Sequence, residues 1–435
     1  MAQSIEILTI GDELLRGELV DTNSAWLAER LHLLGLRVGR SSTIGDGEGE
    51  IAAFIAAAAG RCRALIVSGG LGPTDDDRTA SAVAAALGVE LVLDEVELSR
   101  LKERFAAVGL KYTENNEKQA WLPQGAEVLQ NDRGTAPGFA VKLGECRIAC
   151  MPGVPSELER MFDRQVAPLL EREIGGKPAE LRRVKVFGLG EAQVGDKLSD
   201  LLEVVDLEAT AASIHYRATF PEIHVSAVVR HADSAIAARV ADRLLETICS
   251  RLGRHVFSTN EDGLAEVLVS ALRQKKAKVA FAESCTGGLA GDLITNASGS
   301  SEVFWLSTVV YHNDIKHRVI GVPREILETD GAVSQACVEA MAKGVRELAG
   351  STYAVAISGI AGPGGGSEEK PVGTVHFALA SPTGVRHLHR VFRHYGRLRI
   401  KRLSAFIAHW LVYSELRGDD SAGDDPLAGR WKPKK

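Results

Sequence analysis

The feature that most constrains this 435-residue chain is a short apolar run that ends in glycine and feeds a helix. "SIEILTIG" (residues 4–11) precedes "DTNSAWLAERLHLLG" (21–35), whose apolar residues recur at helical spacing behind an aspartate cap. "RALIVSGG" (63–70) and "KVAFAES" (278–284) repeat the strand-then-turn signature. Strand, tight turn and helix in alternation predict mostly parallel sheets covered by helices on both faces. In such sheets ligands gather at the carboxyl ends of the strands.

The pattern divides the chain into three regions and a tail. Residues 1–172 alternate strands and helices. Residues 173–256 carry "LRRVKVFGLG", "EIHVSAVVRH" and the helical "SAIAARVADRLLETICSRLG", the pattern of a small α+β connector with no cluster of reactive side chains. Residues 257–418 return to α/β, opening with the helix "GLAEVLVSAL" and ending in a helix near 398–415. The tail 419–435, "DDSAGDDPLAGRWKPKK", is polar and rich in Asp, Gly and Pro, and disorder is expected there.

Composition excludes several classes. A net charge of −6 with both signs interspersed offers no polybasic surface for membrane lipid, and no basic groove with interleaved aromatics for nucleic acid. The apolar runs are too short to span a bilayer, and "MAQSIEILTI" is not a secretory signal. Six scattered cysteines without a CxxC pair suit a reducing cytoplasm.

Four stretches carry the chemistry of the first region: "GDELLRGELVDTN" (11–23), "SGGLGPTDDDRT" (68–79), "GTAPG" (134–138) and "MPGVPSE" (151–157). The second follows a strand and precedes a helix, and a glycine-rich turn there presents backbone N–H groups suited to phosphate. Carboxylates on such a turn repel phosphate unless a cation lies between. Asp75, Asp76 and Asp77 on the turn could hold one, with Asp12, Glu13 and Asp21 adding ligands from a neighbouring strand end. The plainer alternative is that the aspartates cap the next helix.

In the third region "AESCTGG" (282–288) offers Ser284, Cys285 and Thr286 at a helix start. Cys285 has no evident histidine and acid partners in sequence, and a small buried cysteine is the commoner role at such a turn. "GSS" (299–301) is a second helix start, followed by Tyr311 and Lys316 around a strand end. A serine hydroxyl needs a base, and a desolvated lysine can serve without histidine. Spacing lets Tyr311 and Lys316 converge but does not place Ser301 against them. The glycine loop "ISGIAGPGGGSEEKPVGTVHF" (357–377) suits a phosphate or an oxyanion, and "GRLRIKR" (396–402) puts four basic residues at a helix start.

Together the four N-terminal stretches resemble the first domain of the competence/damage-inducible CinA family, a domain similar to the molybdopterin-binding fold. "AESCTGG", "GSS…F…Y…K", "GAVS" (331–334) and "SGIAGPGGGSEEKPVGTV" resemble the CinA C-terminal domain over about 258–416. The resemblance implies a molybdopterin-binding-like three-layer α/β domain, an α+β connector and a C-terminal three-layer α/β domain. It implies two hydrolyses of NAD-breakdown products. The C-terminal domain would deamidate nicotinamide mononucleotide without a cofactor, and the N-terminal domain would cleave ADP-ribose with a divalent or monovalent cation, Asp76 and Asp77 falling on the metal-holding "DD" of the family motif and Gly69, Gly70, Gly72 and Thr74 lining the phosphates. Motif position carries the nucleophile to Ser301, assisted by Tyr311 and Lys316. Substrate contacts would fall to Ser284, Thr286, Gly287, Gly362, Gly364, Gly365 and Arg397. This chain departs from the family pattern at His312 and at the longer, more basic "FRHYGR" segment. Regulatory nucleotide binding without turnover and pterin binding are the rival readings. A cytoplasmic homodimer is the expected state.

Overall fold

The computed structural model describes residues 4–107, 109, 111–176 and 179–418. The tail expected to be disordered lies outside them. The chain divides into two compact units. The first runs to Leu181 and takes in Ala209–Ala211 and Val228–Ala238, and the second holds the rest.

The first unit is built on a six-stranded sheet. Its strands are β1 (Ser4–Ile10), β2 (Arg37–Ile44), β3 (Ala64–Ser68), β4 (Glu127–Leu129), β5 (Gly138–Leu143) and β6 (Cys146–Met151), in the order β2-β1-β3-β6-β5-β4. β2, β1, β3 and β6 are parallel, and β5 and β4 add an antiparallel flank. Both faces are covered, as the glycine-ended apolar runs require. Ile5, Ile7 and Ile66 pack with Leu27 and Leu31 of α1 (Thr22–Leu33). Leu8, Leu65 and Val67 pack on the other face with Ile51 and Ile55 of α2 (Glu48–Ala59) and Val83 of α3 (Thr79–Leu87).

A four-stranded sheet, most of whose residues fall in the second unit, holds β7 (Ala179–Val186), β8 (Ala211–Thr219), β9 (Glu222–Arg230) and β10 (Val256–Ser258), in the order β8-β9-β7-β10. The 19-residue helix α4 (Ser234–Leu252) precedes β10. Sequence pattern sets this stretch apart as a connector, but most of it shares a unit with the C-terminal fold. Aromatic residues make the join. Phe187, fully buried, packs at 4.7 Å from Phe406 and 5.1 Å from Trp410, and Phe220 lies 5.5 Å from Tyr395. Burying one such ring contributes about 2 kcal/mol.

The C-terminal sheet holds β11 (Val279–Glu283), β12 (Phe304–Val309), β13 (Tyr353–Gly359), β14 (Thr374–Ser381) and β15 (Gly384–Val391), ordered β12-β11-β13-β14-β15. β11 is parallel to both neighbours, and β14 and β15 continue antiparallel. Alternation along β11 builds three layers. Val279 and Phe281 face α5 (Leu264–Gln274), α6 (Leu289–Thr295) and α9 (Arg397–Arg417). Ala280 and Ala282 face α7 (Asn313–Ile320) and α8 (Gln335–Ala349).

Candidate functional site

In the C-terminal fold, two turns meet at the carboxyl ends of β11 and β12. Ser284 follows β11, and its N–H donates to Ile357 O at 3.0 Å. Tyr311 follows β12 and leads into α7, which carries Lys316. Lys316 is 1% exposed. Its Nζ lies 3.4 Å from Ser284 Oγ and donates to Tyr311 O at 2.8 Å. Burial pushes its ammonium below the ordinary lysine range. A buried lysine with a depressed pKa, touching a serine hydroxyl, has the chemistry to act as a general base beside a nucleophile.

Ser301 is not part of this arrangement. It sits in the exposed 3-10 turn Ser300–Glu302, ahead of β12. β12 runs parallel to β11, with Phe304 beside Val279 and Val309 beside Glu283. The six residues of β12 therefore separate Ser301 from Lys316 by about 20 Å. The nucleophile role expected of Ser301 needs a base within reach, and Ser284, expected only as a substrate contact, is the serine beside Lys316.

Tyr311 also differs from expectation. Its side chain is 61% exposed, and the backbone carbonyl, not the phenol, meets Lys316. His312 caps α7, its Nδ1 accepting from Asp314 N at 3.3 Å. Cys285 is buried, and desolvation pushes its thiol up to about 12, which makes it inert at neutral pH.

The expected binding residues gather around Ser284 to different degrees. Thr286 is fully buried, and its Oγ1 has no hydrogen-bond partner among the described residues. Gly287 adopts φ +64°, and a Cβ there would lie 3.6 Å from Lys401 Nζ. Arg397, at the start of α9, donates to Gly362 O at 2.8 Å. The charges of Lys401 and Arg397 both reach Cys285. The basic helix start is thus brought to the Ser284 turn, and Lys401 is the member of "GRLRIKR" that lies nearest Gly287. Gly364 and Gly365 stay in the exposed part of the loop.

In the first unit the acidic candidates separate. Asp12 and Asp46 are joined reciprocally, Asp12 N donating to Asp46 Oδ2 at 2.9 Å and Asp46 N to Asp12 Oδ1 at 3.4 Å. Burial, then the charges of Asp12, Glu13 and Asp76, push the Asp46 carboxyl up, opposed by the Asp12 N–H bond. Asp46 follows β2 and went unnoticed in the sequence. Asp21 is committed elsewhere: it caps α1 through Ser24 N at 2.9 Å and accepts from Thr9 Oγ1 at 3.0 Å. Asp77 accepts from the N–H and hydroxyl of Thr74 at 2.9 and 2.5 Å. Asp77 thus closes its own turn, and it does not cap α3, whose N-cap is Arg78 with no side-chain cap bond.

The glycines of the "SGGLGPT" turn serve packing. Gly69 has φ +110°, and a Cβ there would meet Ile10 O at 2.4 Å; one on Gly72 would meet Asp77 Oδ2 at 2.4 Å. The turn lets β3 end against β1 and folds Asp77 inward. Asp12, Glu13, Asp46 and Asp76 supply an excess of negative charge that suits a cation, but no preassembled group of three ligating side chains exists among the described residues.

Fold and site define a class: a multidomain α/β protein with a buried serine–lysine pair in its C-terminal fold. Three family models match in the same order. They are "Probable molybdopterin binding domain" over residues 6–172, "Damage-inducible protein CinA KH domain" over 181–258 and "CinA C-terminal domain" over 261–416. A CinA-like protein of Anaeromyxobacter dehalogenans (strain 2CP-C) is 42% identical, covering 95% of this chain and 100% of its own length. A CinA-like protein of Geobacter sulfurreducens is 44% identical over 87% of this chain and 91% of its own. The solved structure of CinA from Thermoplasma acidophilum matches 40% of this chain and 98% of its own, at 32% identity and TM-score 0.36. The chain belongs to the CinA-like protein family. In the stretch matched by the KH model, the loop between the short helices Glu191–Lys197 and Leu201–Val204 carries Asp200, paired with Arg251. A nucleic-acid-clamping KH loop would carry Gly-x-x-Gly there.

Proposed function

We propose that the C-terminal site is a serine amidohydrolase that converts nicotinamide mononucleotide to nicotinic acid mononucleotide and ammonia. The observation that carries the chemistry is the 3.4 Å approach of buried Lys316 Nζ to Ser284 Oγ. The substrate is taken from the family resemblance. Lys316 as neutral amine takes the Ser284 proton while Oγ bonds to the carboxamide carbon. The tetrahedral intermediate collapses as Lys316 returns the proton to the leaving nitrogen, which departs as ammonia. Water, deprotonated by Lys316, then releases the acyl group as a carboxylate and restores Ser284. Thr286 Oγ1, buried and unpartnered, suits a hydrogen bond to bound substrate. Arg397 and Lys401 suit the substrate phosphate.

The test is ammonia release from nicotinamide mononucleotide, in EDTA, by the wild-type chain and Ser284→Ala. Turnover lost in the variant supports the reading. A wild-type chain that binds the nucleotide without releasing ammonia supports regulatory binding instead.

A second reading concerns the first unit and rests on the Asp12–Asp46 exchange beside Glu13 and Asp76. Asp12, Asp46 and Asp76 would hold a cation whose charge offsets that of a diphosphate such as ADP-ribose. Cation-dependent formation of AMP from ADP-ribose tests it, and tight pterin binding without AMP formation would favour the pterin reading.

A further inference from the structure

We propose that Glu283 is the positioning residue of the Ser284 site, holding nucleophile and base in register through one buried carboxylate; this rests on the amidohydrolase reading. Glu283 ends β11 and is fully buried. Its Oε2 accepts from Gly288 N at 3.0 Å and Ala290 N at 3.1 Å. Its Oε1 accepts from Gly291 N at 2.9 Å and Ser307 Oγ at 2.8 Å.

These four bonds tie two branches of the chain to one residue. The first branch is the turn Ser284–Gly287, which the three N–H bonds close from behind. Apart from them, the turn's backbone holds itself by Ser284 N to Ile357 O and Gly287 N to Ser284 O, at 3.0 and 3.2 Å. The second branch is β12, which leads to Tyr311 and then Lys316. Ser307 on β12 is held by the Glu283 side chain, and Val310 N donates to the Glu283 carbonyl at 2.9 Å. Displacing Glu283 therefore moves Ser284 Oγ and Lys316 Nζ relative to one another, although Glu283 touches neither.

The packing leaves no room for slack. A Cβ on Gly291 would meet Ser307 Cβ at 2.8 Å, so that glycine lets α6 approach β12 closely enough for both to reach the carboxylate. All four donors are N–H or O–H groups. A glutamine amide turns one acceptor into a donor facing them, so Glu283→Gln is isosteric but mismatched.

The experiment has two readouts. One is steady-state deamidation, and the other is the labelling rate of Ser284 by a fluorophosphonate probe. In labelling, Ser284 Oγ bonds to phosphorus, the P–F bond breaks, and fluoride leaves with the serine proton. For Glu283→Gln, kcat and the labelling rate should fall by about tenfold or more with KM little changed, because a small misplacement slows chemistry more than binding. Ser307→Ala, which removes one of the four bonds, should fold normally and show a smaller loss of the same kind. Folded variants with lowered thermal midpoints but wild-type kcat and labelling rate would make Glu283 merely structural and overturn the proposal. Wild-type protein that labels at Ser284 but releases no ammonia would sink the deamidase reading while the labelling comparison still decides the role of Glu283. Absence of labelling in the wild type would overturn both.

Discussion

Lys316 Nζ stands 3.4 Å from Ser284 Oγ, with its amine buried and held by the carbonyl of Tyr311 at 2.8 Å. Ser284 comes from the turn after β11 and Lys316 from α7, the helix after the adjacent parallel β12, so sheet register sets their separation.

The proton-transfer role predicts the effect of changing the lysine. Lys316→Ala should lower kcat by roughly 10²–10⁴-fold, the usual contribution of a positioned base. Lys316→Arg should fail as well, since a guanidinium cannot be deprotonated. Circular dichroism should show both variants folded. Retention of full activity by Lys316→Arg would remove the lysine from the chemistry.

The same burial fixes the pH dependence. Desolvation holds Lys316 below the ordinary lysine range, and the neutral amine is the active form. Activity should therefore rise with pH on an acid limb whose midpoint lies below that of a free lysine. Measuring kcat/KM against pH checks this, and Cys285→Ala should leave the limb in place.

Arg397 and Lys401 should act on binding. Arg397→Ala should raise KM for nicotinamide mononucleotide by about tenfold or more, the scale of a charge-assisted contact, with little change in kcat. The phosphate-free nucleoside should be affected far less. Equal losses on both substrates would contradict a phosphate contact.

Three histidines on β14 and β15 predict acid sensitivity. His376 Nδ1 lies 3.0 Å from His387 Nε2, and its ring stacks on His389 at 4.4 Å. Burial lowers all three, His376 to about 4. The unfolded chain then binds more protons than the folded one below the ordinary histidine range. Stability is full above about pH 6.5 and declines as pH falls toward about 4, by at most about 1.4 kcal/mol per pH unit per histidine. Partial exposure reduces the slope. Urea titrations of the wild-type chain and His376→Asn between those limits should show a shallower decline in the variant.

The acidic cluster of the first unit predicts a cation effect. Asp46→Asn should leave the fold intact and raise its stability slightly, by ~0.5 kcal/mol, by relieving repulsion with Asp12 and Glu13. Manganese or magnesium should raise the thermal midpoint of the wild type and not of the variant.

Much of this was legible in the sequence. The apolar runs around Ile7, Ile66 and Phe281 announced strands buried on both faces, and Tyr311 and Lys316 followed a strand end. Ser301 lies away from Lys316 although its serine pair gives a strong local helix-start signal, because strand direction, which puts it at the far end of β12, is a property of the sheet. The rule that ligands gather at carboxyl ends singles out both Ser284 and Asp46, each just past a parallel strand. Glu283 was not legible, and Lys401 was legible only as one of four basic residues at a helix start. A carboxylate that ends a strand looks exposed until four donors surround it, and Lys401 reaches the Ser284 turn from a helix more than a hundred residues away.

The most direct test compares ammonia release from nicotinamide mononucleotide by the wild-type chain, Ser284→Ala and Ser301→Ala. The account predicts that Ser284→Ala abolishes release while Ser301→Ala retains wild-type rates. Loss of activity in Ser301→Ala with retention in Ser284→Ala would contradict it.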